Sequence, residues 1–287
     1  KNIAIGRLAL TGGSGALIGN IAIGHLALDA TAATAQAGNI AIGTEALSAQ
    51  NTATVVGIGD VANPNIAIGY HAGKGITEGD SNVIIGHLAQ GKAAGNGRGD
   101  DNVYIGARAA YTATDADRNI AIGRDALYST TTGAHNVVIG HSALYTANHT
   151  SNDGTVAIGY NALMAKNLAS GSQYDGATTA IGYQALTALT SGTANTAIGF
   201  ESLKTAATEA QSVAIGYQSM AIAANSSNNV MVGYKSGYDL SQGSDNNTGI
   251  GHEALSGTHG VGASEKNTAI GSGSMVGAID GAAHNTA

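Results

Sequence analysis

Nine histidines are the residues of this 287-residue sequence best suited to metal binding or proton transfer, and four of them, His25, His87, His141 and His252, each directly follow a glycine. Imidazoles at a fixed offset from a recurring residue invite a ligand-set reading. The same slot, however, holds Tyr70, Tyr160, Tyr183, Phe200, Tyr217 and Tyr234, and the histidines do not occupy successive occurrences of it. That mixture predicts a row of rings stacked along the molecule rather than a metal site. Within it, Tyr183, Phe200, Tyr217 and Tyr234 form the candidate binding row, in which exposed rings would stack on sugars.

Other motifs carry less. Gly57-Ile58-Gly59-Asp60-Val61-Ala62 matches a dinucleotide fingerprint with alanine last. The helix and ribose-binding acid that this chemistry needs do not follow. Thr11-Gly12-Gly13-Ser14-Gly15 lacks the Lys-Ser/Thr ending of a phosphate loop and reads as a return turn. Arg98-Gly99-Asp100 lies in a glycine-rich loop, where it reads as a chance tripeptide rather than an integrin ligand. Asp80, Asp100, Asp101 and Asp245 are loop acids without the glycine-rich calcium repeat around them. No carboxylate pair or Ser-His-Asp arrangement recurs, so no catalytic residue, cofactor or metal is assigned and the chain is expected not to be an enzyme.

The elements that must position these residues are set by an internal repeat. Its unit reads Asn, β-branched, Ala, Ile, Gly, two variable residues, Ala, often Leu, and aligns on Gly6, Gly24, Gly43, Gly59, Gly69, Gly86, Gly106, Gly123, Gly140, Gly159, Gly182, Gly199, Gly216, Gly233, Gly251 and Gly271. Those are sixteen units at spacings of 10 to 23 residues, most often 17, and Gly57 offers a competing register for the weakest of them. The residue before the glycine is Ile in fifteen units and Val232 in the other, and the residue two earlier is always Ile, Val or Thr. Such β-branched choices predict a strand. Three residues after the glycine stand twelve alanines and four serines, Ser202, Ser219, Ser236 and Ser274, which implies a tight interior. Twelve units open with Asn, whose amide can bond local backbone or build a ladder with the next coil. The glycine ends the strand at a corner that other residues reach only with strain.

Each unit therefore predicts a strand of four or five residues, a glycine corner, a second short strand centred on Ala-Leu, and a return loop. Stacked in identical order, these give an all-β, parallel β-solenoid of about sixteen coils, roughly 75 Å long at ~4.8 Å per coil. Composition agrees: there are 43 glycines, one Phe, no Trp, and only 11% charged residues, so small side chains must fill the core. A helical reading fails because the apolar runs are too short, Gly recurs in every unit and Thr in most. The longest interruptions, Ala93 to Asp101 and Ala165 to Ala177, remain loops, so residues 1–287 read as a single solenoid domain.

Side chains alternate along a strand, so the two β-branched positions face one way and the residue between them the other. That middle position holds Ala in ten units and otherwise Gly57, Ile84, Tyr104, Val138, Met231 or Gly249. Both faces are apolar. One face needs a second cover, and identical chains packed around a common axis supply it most simply. Thr179, Thr196, Thr248 and Thr268 occupy the first β-branched position and are expected to point inward, against an ice-binding array.

Units such as Asn195-Thr196-Ala197-Ile198-Gly199 and Ser212-Val213-Ala214-Ile215-Gly216 resemble the head repeat of YadA-type trimeric autotransporter adhesins. The stretch Ala126-Leu127-Tyr128-Ser129-Thr130-Thr131-Thr132-Gly133, through Asn136, is similar to repeats of phage tail-fibre proteins. The resemblance extends along essentially the whole chain but rests on one short motif. It implies a left-handed β-roll, a homotrimer, and a shaft or head segment of an extracellular fibre, on a virion or a bacterial surface, that attaches to a host or another surface. The 17-residue spacing, longer than that of adhesin heads, favours the phage type. A cell-surface glycan or protein receptor would be its partner, the alternatives being an adhesin that binds matrix or glycans along its rod and a self-assembling or ice-binding solenoid.

A net charge of −7 leaves no basic stripe for nucleic acid or anionic membrane. The short apolar runs predict no membrane insertion, and the absence of cysteine excludes a disulfide framework. Lys1 to Gly6 begins inside a unit, and Asn285-Thr286-Ala287 repeats the opening of another, so the array reads as a segment of a longer fibre.

Overall fold

The computed structural model describes residues 1–11, 17–29, 36–49, 64–92, 97–146, 153–166, 177–223, 225–257, 262–277, 281 and 283–287. Among them there is no helix; the regular elements are parallel strands joined by turns, and the architecture is a β-solenoid. The chain divides into two compact units, the first Lys1–Ile139 with Asn148–Thr150 and the second Gly140–Ala147 with Ser151–Ala287.

In the first unit the strands are β1 (Ile3–Ile5), β2 (Leu17–Ile18), β3 (Ile21–Ile23), β4 (Gln36–Ala37), β5 (Ile40–Ile42), β6 (Ile66–Ile68), β7 (Val83–Ile85), β8 (Val103–Ile105), β9 (Ile120–Ile122) and β10 (Val137–Ile139). Eight of these form one parallel ladder, β1-β3-β5-β6-β7-β8-β9-β10, while β2 and β4 pair separately. The second unit stacks β11 (Val156–Ile158), β12 (Thr179–Ile181), β13 (Thr196–Ile198), β14 (Val213–Ile215), β15 (Val230–Val232), β16 (Thr248–Ile250) and β17 (Thr268–Ile270) in chain order. Every rung is in register on the motif, as in Thr196↔Val213, Ala197↔Ala214 and Ile198↔Ile215. Ile40 pairs directly with Ile66, so no rung separates β5 from β6. The Gly59 unit, its competing register at Gly57, the dinucleotide-like run 57–62 and residues 12–15 lie outside the described residues.

The repeat glycines explain the close stacking. Gly69 has φ +139°, and a Cβ there would meet the carbonyl oxygen of Gly86 in the next coil at 2.6 Å; Gly106 repeats the relation against Gly123 at 2.5 Å. Any side chain at this corner would push two coils apart. The opening asparagines form the ladder that their spacing allows. Asn102, Asn119 and Asn136 are buried; Asn102 Oδ1 accepts the Asn119 N–H and Asn119 Oδ1 the Asn136 N–H, both at 2.9 Å. The second unit repeats it, Asn247 N–H donating to Asn229 Oδ1 and Asn267 N–H to Asn247 Oδ1.

Two expectations are corrected. The motif strands are three residues long, and the segment after the glycine is a run of turns rather than a second strand. In it, residues two and four places after the glycine take left-handed φ, as at Glu201 (54°) and Leu203 (49°). Their N–H groups donate to opposite neighbours: Glu201 to Tyr183 O at 2.8 Å, Leu203 to Ser219 O at 3.0 Å. This hydrogen bonding to the coils on either side does the work that a strand ladder would do. Left-handed backbone costs about 1–2 kcal/mol per non-glycine residue, and burying each leucine contributes about 1.5–3 kcal/mol against it.

The strand side chains also face the other way from the expectation for the threonines. The middle strand residue points into the coil and is buried, and the flanking β-branched residues, Thr179, Thr196, Thr248 and Thr268 included, are half-exposed on the outer face. Alternation distinguishes two faces without saying which is inner. Burial decides it: the middle residues and the alanines and serines three places after the glycine line the same interior, as Ala197 and Ser202 do. Ser202 and Ser236 bond across this interior to Ala214 O and Gly249 O at 2.8 and 2.9 Å.

Core volume is balanced between positions. Met231 replaces the usual Ala, and Gly237 replaces the usual Leu; a Cβ on Gly237 would lie 2.8 Å from Met231 Cγ, and one on Gly249 2.6 Å from its Sδ. Tyr104, also at a middle position and fully buried, shares its unit with Ala110 in the leucine slot.

Candidate functional site: an exposed ring row beside an apolar strand face

The ring slot lies one residue past the repeat glycine, and backbone hydrogen bonds fix it on both sides. Gly199 N–H donates to Ile181 O, and Gly216 N–H to Ile198 O, each at 2.8 Å. The carbonyls of the ring residues then accept from the next coil, Phe200 O from Gln218 N–H at 2.8 Å and Tyr217 O from Lys235 N–H at 2.9 Å. Rings anchored at one position per coil must stack. Centroid separations are 5.2 Å for Tyr160–Tyr183, 5.1 Å for Tyr183–Phe200, 5.2 Å for Phe200–Tyr217 and 5.3 Å for Tyr217–Tyr234, with interplanar angles of 13°, 7°, 6° and 8°. His141 closes the row at one end, 5.5 Å from Tyr160, and His252 at the other, 4.9 Å from Tyr234.

The four residues of the candidate row are therefore brought together, and the row runs further than those four. Tyr183, Phe200, Tyr217 and Tyr234 are 44%, 40%, 44% and 42% exposed. Along the interior of the row each ring lies against a ring on either side, so solvent meets mainly edges and hydroxyls. Polar residues follow the rings. Glu201 accepts from Lys204 Nζ at 2.7 Å and from Gln218 Nε2 at 2.8 Å, and the Lys204 bond, followed by that of Gln218, holds its carboxyl below the usual range. Lys235 Nζ sits 5.5 Å from the Tyr234 ring and 5.1 Å from Tyr238.

The second feature is the outer strand face. Ile215, Val230 and Ile250 are 36%, 37% and 40% exposed, although strand pairing covers their flanks. With Ile or Val before every repeat glycine, each ladder presents a continuous apolar column; beside it the first unit carries a second column of Ile and Val, and the second unit a mixed column of Thr179, Thr196, Thr248 and Thr268 with Val156, Val213 and Val230. Soluble monomers rarely leave a continuous surface of this kind uncovered.

The remaining candidates take structural positions. His87 stacks on Tyr70 at 5.4 Å, and Arg7 Nη2 lies 2.7 Å from His25 Nε2. Among the described residues no group of three or more His, Asp or Glu side chains could hold a metal ion. Asp80 N–H donates to Asp100 Oδ1 at 2.7 Å and Asp100 N–H to Asp117 Oδ1 at 2.9 Å, so these acids join coils. Asp245 does the same for Ser227 N–H at 2.7 Å. In Arg98-Gly99-Asp100 the glycine is buried, Arg98 Nε is 2.9 Å from Glu78 Oε2, and the aspartate is bonded into the ladder, unlike the projecting tip that integrin mimicry needs. No helix among the described residues is long and apolar enough to cross a membrane.

These features define the class: a parallel β-solenoid repeat protein with an aromatic row and an uncovered apolar strand face. No family model, curated protein or solved structure matches the chain.

Proposed function

We propose that this chain is a non-catalytic shaft or head segment of a homotrimeric extracellular fibre of the phage tail-fibre type, coiled left-handed, which carries attachment to a host or another surface. The apolar outer face, with its column of Ile or Val before the repeat glycine, supports this reading. It repeats at every described rung, and three identical chains would cover it with matching periodicity. Stiffness is the mechanism, because each coil is held to its neighbours by strand, asparagine and turn hydrogen bonds, and bending must break several at once. Ile198→Asp with Ile215→Asp tests it: a charge on the outer face should dissociate the assembly while each chain keeps its β-rich circular dichroism. Unchanged mass in the double variant would refute it.

The half-exposed ring row favours a second reading, an adhesin that binds a cell-surface glycan along Tyr183, Phe200, Tyr217 and Tyr234. Sugars would contact ring edges and hydroxyls, with Gln184, Glu201 and Gln218 as hydrogen-bond partners. Tyr183→Ala with Tyr217→Ala should abolish retention on glycan-coated surfaces, and unaltered retention would remove this reading. Ice binding would use the outward threonines, but Val213 and Val230 interrupt that column between Thr196 and Thr248, and trimer formation would cover it.

A further inference from the structure

We propose that two tyrosine pairs of the ring row, Tyr160 with Tyr183 and Tyr217 with Tyr234, are oxidative cross-linking sites at which adjacent coils become covalently stapled. The inference rests on the row's geometry and holds whether or not the chain forms a fibre. Both pairs stack nearly parallel, at 5.2 and 5.3 Å between centroids, and each of the four rings is more than 40% exposed. A small oxidant can therefore reach every phenol. Backbone hydrogen bonds hold the partners one coil apart: Gln184 N–H donates to Tyr160 O at 2.9 Å, and Lys235 N–H to Tyr217 O at 2.9 Å. Two radicals formed on such neighbours meet far more often than radicals on separate chains.

The chemistry balances with a peroxidase and hydrogen peroxide as the oxidant. Each phenol gives up one electron and its hydroxyl proton. The two phenoxyl radicals join through one carbon–carbon bond between ring positions ortho to oxygen, and the hydrogens on those carbons shift to the oxygens to restore both aromatic rings. The product is two hydrogen atoms lighter than the two tyrosines, and peroxide accepts the two electrons and two protons to become two molecules of water.

The row also predicts which links do not form. Phe200, without a hydroxyl, stands between Tyr183 and Tyr217 at 5.1 and 5.2 Å, so those tyrosines lie two coils apart. In the other unit Tyr111 and Tyr128 stack at 5.2 Å, but both are less exposed, and Arg108 lies 5.5 Å from the Tyr128 ring. They should react later.

The test exposes the whole chain to horseradish peroxidase and limiting hydrogen peroxide, then digests it and maps cross-linked peptides by mass spectrometry. Links Tyr160–Tyr183 and Tyr217–Tyr234 should dominate, with no Tyr183–Tyr217 link. Tyr217→Phe should abolish the second link and keep the first, Phe200→Tyr should add links to Tyr183 and Tyr217, and coupled chains should resist protease longer. Tyrosine loss without these two links, predominant coupling between chains, or the same link pattern after unfolding in guanidinium would overturn the proposal.

Discussion

Asn119 bonds the coils on both sides of it: its Oδ1 accepts the Asn136 N–H at 2.9 Å, its own N–H donates to Asn102 Oδ1 at 2.9 Å, and its Nδ2 donates to Gly133 O at 2.8 Å. The side chain is fully buried, so no water replaces a lost partner. Asn119→Ala leaves a buried N–H and a buried carbonyl unpaired, at about 1–3 kcal/mol each. Chemical denaturation should show a loss of at least about 2 kcal/mol, and hydrogen exchange should show lost protection at Asn136. Asn119→Asp keeps the acceptor but buries a charge, and should be at least as damaging.

Glycine substitutions should separate by column. Gly69→Ala places a methyl 2.6 Å from Gly86 O at a φ of +139°, whereas Gly154, with φ +67°, has nothing within 4 Å of its Cβ position. The first change should cost more than about 3 kcal/mol, by forcing coils apart, and the second about 1 kcal/mol, for the left-handed backbone alone. Equal losses in thermal unfolding of the two variants would contradict the close-stacking account.

The exchange of volume between Met231 and Gly237 predicts strong coupling. Met231→Ala opens a cavity worth about 2–5 kcal/mol, and Gly237→Leu alone overfills the coil. The double variant restores the pairing of Ala with Leu seen at Ala197 and Leu203 and should recover most of either loss. A double-mutant cycle with coupling below about 0.5 kcal/mol would show the two positions to be independent.

Acidity should stabilise the first unit around Asp80. Burial, and then the charge of Asp100, push its carboxyl from 3.8 up to about 6, and Asp100 is raised as well, by burial first. A group raised in the folded state contributes stability that is complete below its unfolded value and is lost as pH rises through its folded value. Exchange protection near Asp80 should therefore fall as pH rises from the unfolded value of 3.8 through about 6, and Asp80→Asn should remove that fall. Glu45 has the opposite sign: Lys74 holds its carboxyl below the ordinary 4.5, and its contribution is lost only as pH drops through that lowered value.

Much of this was legible in the residues. β-Branched residues before a glycine and alanines after it named the strand, the corner and the tight interior, and the ring slot was visible as the position where His, Tyr and Phe interchange. The left-handed turns were not visible, because Leu, Glu, Gln and Arg at those positions have no side-chain signature for positive φ. The face of the threonines was misjudged because alternation sets relative direction only. The pairing of Ile40 with Ile66 across a further copy of the motif shows that the motif and the rung need not coincide.

What covers Ile198, Ile215 and their equivalents decides whether the chain works as part of a trimer. Light scattering on the purified chain measures this directly. A mass of three chains, falling to one on Ile198→Asp with Ile215→Asp, is the predicted result; a stable single chain with its outer face open to water would contradict it.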